Sequence, residues 1–172
     1  MSELGKGSES VLINAPIETV YNYIADFPRH PEWNANLDKL TQTSNGGLGV
    51  GTQYVTDEAP PETLPWIMRN VMFPMMSMMV GATGQTETEI TALQPHARIA
   101  WEAGLPIRNG YMMKSDWRVE LKVQGNHTKV TQHYHFKPQI TMAKMAVSDS
   151  QMSNVAKQTE LNLEKLKTIL EA

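Results

Sequence analysis

The sequence predicts an α+β fold, an antiparallel sheet covered on one face by a long C-terminal helix. Three observations carry this. Segments with an apolar period of two follow one another through the middle of the chain, most of them joined by short turn signals, the mark of an antiparallel meander. The last thirty residues, from about Thr141 to Leu170, switch to helical spacing. A meander with one dry face needs a cover, and the last helix supplies it.

Ser8 to Asn14 reads as the first strand, and Ala15-Pro16 opens a helix at a position where the missing N–H of proline is harmless. Val20, Tyr21, Ile24 and Phe27 recur every three or four residues and give that helix one apolar face. Pro28 ends it, and Pro28 to Trp33 has room for a helical turn only. Leu37 to Thr43 and Val50 to Glu58 are strands on either side of the turn signal Asn45-Gly46-Gly47. In Thr86 to Leu93, Thr88, Ile90 and Ala92 share one face. Arg98 to Ala103 follows a turn at Gln94-Pro95-His96, and Gly104-Leu105-Pro106 breaks it. Tyr111 to Val123 places Trp117, Val119, Leu121 and Val123 on one face. After a hairpin turn at Gly125-Asn126, Lys129 to Lys137 returns with Val130, Gln132, Tyr134 and Phe136 together. In the final helix Met145, Met152, Val155, Leu163, Leu166 and Leu170 form the apolar stripe, interrupted by Thr159.

Composition bounds the function. The chain has 172 residues, one domain's worth, and nothing inside it marks a boundary. Fifteen Lys+Arg against 18 Asp+Glu give a formal charge of −3, which argues against nucleic acid as a partner. The absence of cysteine excludes disulfides, thiolate zinc sites and a cysteine nucleophile. No apolar run is long enough for a bilayer span and no signal peptide is evident, so the expected location is cytoplasmic without stable membrane insertion. The unusual feature is methionine, with 12 in all and six of them between Met68 and Met79.

The stretch Val11-Leu-Ile-Asn-Ala-Pro-Ile-Glu-Thr-Val-Tyr-Asn-Tyr-Ile-Ala-Asp-Phe-Pro-Arg-His-Pro-Glu-Trp33 resembles the opening of the START/Bet v 1-like (SRPBCC) superfamily, and is most similar to its polyketide cyclase/dehydrase branch. Val50-Gly51-Thr52, Pro95 ahead of Arg98-Ile99, and the helix end Leu163 to Leu170 agree with it. The resemblance implies a helix-grip fold: a curved antiparallel sheet wrapped around the long C-terminal helix, two short helices after the first strand, and a cavity between sheet and helix. Such folds host lipid carriers, receptors and cyclases alike, so chemistry does not follow from the fold. Against that family the connection Ala59 to Gln85 is long. On a helical wheel Ile67, Met68, Val71, Met72, Met75, Met76, Met78 and Met79 share a broad arc. Methionine adapts to apolar partners of variable shape. The resemblance puts this insert (59–85) at the cavity mouth, where it would serve as a lid, a plug, or a contact for a partner or a second copy.

No strong catalytic constellation is present. His133 and His135 point to the same face of their strand, opposite Tyr134 and Phe136, and lack a third ligand, so no metal is expected. No cofactor is expected either. His30, His96 and His127 lie at turns, where surface roles are expected. Glu102 is the candidate general base on the condition that it faces the cavity, where desolvation would raise its pKa. The expected ligand-contacting residues are Trp33, Tyr54, Met68, Met72, Met75, Ile90, Met113, Trp117, Val119, Gln132, Tyr134, Met145 and Met152, with Tyr54, Tyr134 and Gln132 able to orient a ligand through polar contacts. The expected function is binding or transport of a hydrophobic or amphipathic small molecule, such as a lipid, quinone or polyketide-like compound. The alternatives are a cyclase/dehydrase-type enzyme and a protein-interaction module using the insert.

Overall fold

The computed structural model describes residues 4–58, 66–67, 70–71 and 73–172. One sheet of seven antiparallel strands dominates it: β1 (Lys6–Ile13), β2 (Leu37–Gln42), β3 (Gln53–Glu58), β4 (Gln85–Gln94), β5 (Arg98–Ile107), β6 (Gly110–Gln124) and β7 (His127–Pro138). Their spatial order is β1-β7-β6-β5-β4-β3-β2, so every neighbour except β1 and β7 is also consecutive in sequence. Helix α1 (Ile17–Ala25), a 3₁₀ turn (Phe27–Arg29) and α2 (His30–Trp33) follow β1. Helix α3 (Phe73–Val80) lies in the connection between β3 and β4, and α4 (Asp149–Leu170) closes the chain. This is the helix-grip arrangement. No described helix is long and apolar enough to cross a membrane.

The period-two pattern does what it predicts. Thr86, Thr88 and Ile90 are buried while Glu87 and Glu89 are exposed, because alternate residues on a strand face opposite sides. The core combines Val11, Ile13, Val20, Ile24, Ile99, Val119, Leu121 and Val130 with Leu163 and Leu166 of α4. Asn162 anchors α4 to the loop after α2: its Oδ1 accepts from Ala35 N–H (3.3 Å) and its Nδ2 donates to Asn34 Oδ1 (3.0 Å).

Four local expectations are corrected. Strand β5 does not break at Gly104-Leu105-Pro106 but runs on to Ile107; Pro106 lies at a register shift against β6, where the ladder asks least of its absent N–H. A second register shift between Ile90 and Ala92 turns Leu93 inward to the core in place of Ala92. Residues Thr141–Val147 form a 3₁₀ segment, and Ser148, with extended backbone, separates it from α4. Met145 therefore falls outside the helix's apolar stripe and is 78% exposed. Val123, near the end of β6, is exposed rather than inward.

Candidate functional site

Sheet and short helices do not close completely, and no described residue of α4 lines the gap, which therefore lies between the sheet and the helical turns after α1 rather than between sheet and long helix. A cavity of about 110 Å³ remains on the inner face, lined from β2 to β7 and by Phe27, His30 and Asn34. Its walls follow from the alternation: Thr56 and Glu58 share the inner face of β3, Trp101 and Ala103 that of β5, Ser115 and Trp117 that of β6, and Gln132 and Phe136 that of β7. Two larger depressions lie on the outer face, one beside Glu87, Glu89, Glu102 and Lys114, the other beside Asp116, Arg118, His133 and His135.

The cavity has an aromatic side. Trp101 and Trp117 are register partners on β5 and β6, with rings 6.3 Å apart and only 8° from parallel. Phe27 meets Trp101 edge-on at 5.4 Å, and Phe136 meets Trp117 edge-on at 5.5 Å. Such edge-to-face contacts lock the rings beyond what burial alone provides. Polar groups occupy defined places among them. Trp117 Nε1 donates to Ser115 Oγ (2.9 Å), Thr56 and Thr88 bond each other (3.4 Å), and Thr86 donates to the Glu58 carboxyl. Gln132 is 2% exposed, and its Oε1 has no hydrogen-bond partner.

Two titratable groups on the lining have displaced protonation. Burial pushes the Glu58 carboxyl up, partly opposed by the Thr86 hydrogen bond. Glu58 as a residue is exposed at the end of β3, while its carboxyl end is crowded by protein where it lines the cavity. His30 is 2% exposed, and burial lowers its pKa to about 4. Its Nε2 lies 2.8 Å from the Ile24 carbonyl, which can only accept, so Nε2 carries the proton and Nδ1 is left as the acceptor of a neutral ring. Phe27 stacks on that ring at 4.4 Å.

The expected site residues divide. Trp117 and Gln132 line the cavity. Trp33, Tyr54, Ile90, Val119 and Tyr134 are buried in the structure around it and do not line it: Trp33 packs edge-on to His30, Tyr54 stacks on Phe27, and Tyr134 leans on Trp117. Met113 and Met152 are half-buried away from the lining, and Met75 and Met145 are exposed. Met68 and Met72 lie outside the described residues. Glu102 fails its condition: it is exposed on the outer face between Glu89 and Asp116, because the inward positions of β5 are Ile99, Trp101 and Ala103. His133 and His135 lie on that outer face too, beside Glu120 (3.4 Å) and Asp116 (3.7 Å). His30 does not have the surface role expected of it; the turn that carries it is folded into the core.

Sequence reasoning missed Glu58 and His30, and both had a signal. Glu58 is two and four residues beyond Thr56 and Tyr54, so an inward Tyr54 implies an inward Glu58. His30 precedes Trp33 by three residues on a helical turn, so a buried Trp33 brings His30 to the same side.

Comparison with known proteins agrees with this geometry. Residues 5–171 match the family described as polyketide cyclase / dehydrase and lipid transport. No curated protein sequence matches the chain. Among solved structures, a hypothetical protein of Helicobacter pylori superimposes with a TM-score of 0.67 at 13% identity, over 98% of this chain and 90% of that one. A Thermus thermophilus protein gives 0.65 at 12% identity, over 96% of both chains. Ara h 8.0201 gives 0.64 at 10% identity, over 98% of both. At such identities the likeness is one of fold.

Proposed function

The chain belongs to the polyketide cyclase/dehydrase and lipid transport family, and from that premise we propose that it carries or senses one hydrophobic or amphipathic small molecule held between the sheet and the short helical turns. The observation that supports this most is the composition of the cavity wall, an aromatic side with a few fixed polar groups, the usual make-up of a small-molecule site. The aromatic rings remove apolar surface from water, and the polar groups fix orientation. The reading extends to the insert. Trp66, Ile67, Val71, Met75, Met78 and Met79 are exposed, and no described residue of the insert lines the cavity, so its apolar side chains are available to close over an arriving ligand.

Native mass spectrometry of the purified protein tests the reading. The expected result is a bound small molecule at one per chain, released on denaturation and recovered in organic extract. A chain that carries none, and whose melting temperature responds to no apolar compound offered to it, would overturn it.

One observation favours a second reading, catalysis of the cyclase/dehydrase type. Glu58, its carboxyl pushed toward the protonated form, and His30, its ring held neutral, line the same cavity, and a carboxylic acid able to donate beside an imidazole able to accept suits general-acid and general-base roles. In this reading the extracted molecule would be a product, and Glu58→Gln would leave binding intact while abolishing its formation.

A further inference from the structure

We propose that Gln132 sets the ligand class: the cavity takes a neutral molecule whose leading end is a single ring or chain end bearing a hydroxyl group, which donates to Gln132 Oε1. This rests on the proposed role of the cavity as a ligand site and adds what that site selects.

The argument begins with partners. The inner face is rich in polar side chains, and the structure satisfies them in pairs: Thr56 with Thr88, Thr86 with Glu58, and Ser115 with Trp117. Among the described residues lining the cavity, Gln132 alone has a buried side-chain oxygen or nitrogen left without a partner. A buried amide oxygen with no donor is costly, and native proteins leave few of them unexplained. No described group of the fold reaches Gln132 Oε1 within hydrogen-bond distance. Gln132 sits opposite Val119 in the β6–β7 register and opposite Glu9 in the β1–β7 register, with Val130 and Tyr134 before and after it on the same face. A residue at this position serves packing equally well as leucine or methionine, so an amide here is unexplained unless something else bonds to it.

The chemistry of the partner follows. An oxygen acceptor requires a donor. A carboxylate end would present acceptors to an acceptor, and an ammonium end would exchange its full hydration for ring faces and a single amide oxygen. A hydroxyl donates, carries no charge and has an oxygen to spare. Size narrows the choice further. About 110 Å³ is somewhat less than the roughly 150 Å³ cavity that admits benzene, so the part buried here is no larger than one ring.

Phenol and toluene differ by a hydroxyl in place of a methyl, and titration of the full chain with each, by calorimetry and ligand-observed NMR, tests the assignment. A purely apolar cavity prefers toluene, the less hydrated of the two. The expected result is the reverse, with phenol bound about tenfold more tightly, the worth of one buried hydrogen bond. Gln132→Met should abolish that preference. The Gln132 side-chain amide resonances of the wild-type chain should shift with phenol and stay in place with toluene, a readout that needs no variant. Equal or tighter binding of toluene, or a phenol preference that survives in Gln132→Met, would overturn the assignment and leave the carrier reading standing. Binding of neither compound would overturn the assignment, and the carrier reading with it where the purified chain also carries no small molecule.

Discussion

His30 ties the chemistry of one residue to the stability of the whole chain. In the unfolded chain its pKa returns to the ordinary histidine range near 6.5. The folded protein prefers the neutral ring. Its contribution is therefore complete above about pH 6.5 and is lost as the pH falls toward 4, since only the unfolded chain takes up the proton in that window. The loss amounts to about 3 kcal/mol if no other group compensates. Urea unfolding of wild type and His30→Gln across this window is the check. The advantage of wild type should shrink as the pH falls, and a constant difference would contradict it. Glu58 runs the other way. Its folded pKa is raised, so its ionisation penalises the folded state as the pH rises above the ordinary carboxylate range. Glu58→Gln should raise the melting temperature at pH 8 and do so less at pH 5. Neither residue was found from the sequence, because polarity was read as a sign of the surface. A histidine between two prolines and a glutamate at a strand end look solvated until the periodicity that places Trp33 and Tyr54 is applied to them as well.

At the scale of elements, the hydrophobic patterns were the legible part. The seven strands, the first helix and the cover helix follow from periods of two and of 3.6. What the patterns could not show was the long-range register. The shift at Ala92 and the continuation of β5 through Pro106 depend on the neighbouring strand, which local sequence does not contain. Helix α4 is a second case. Its stripe predicts burial of Leu163 and Leu166, and the docking is completed by Asn162, a polar residue no hydrophobic pattern selects. Asn162→Ala strands the Ala35 N–H and takes one of two donors from Asn34 Oδ1, which keeps the Asn36 N–H, so it should destabilise the fold by about 1 kcal/mol in chemical denaturation. The insert makes the opposite prediction. Met75, Met78 and Met79 are 57%, 78% and 75% exposed, and replacing all three with serine should change stability by less than about 0.5 kcal/mol. If the insert closes on a ligand, the same triple variant weakens binding. Unchanged affinity after deletion of residues 64–80 would remove the insert from the mechanism.

For the whole molecule, the family and the fold are settled, while what the proposed site holds is a question of which few atoms meet in the remaining gap. Six of the thirteen residues expected to contact a ligand are methionines, whereas the cavity is lined by Phe27, Trp101, Trp117 and Phe136 among polar and aliphatic residues and by no described methionine. The excess of methionine belongs to the insert, and the aromatic residues belong to the site. That division has an optical consequence. The four tryptophans are sorted by environment: Trp66 is 69% exposed on the insert, Trp33 is 1% exposed in the core, and Trp101 and Trp117 face the cavity. Their emission wavelengths differ accordingly, with Trp66 at the red end. Filling the cavity should alter the intensity of the Trp101–Trp117 pair, while closure of the insert should move Trp66 to the blue. Stopped-flow recording at the two ends of the emission band would then time loading and closure separately, in the native chain and without a label.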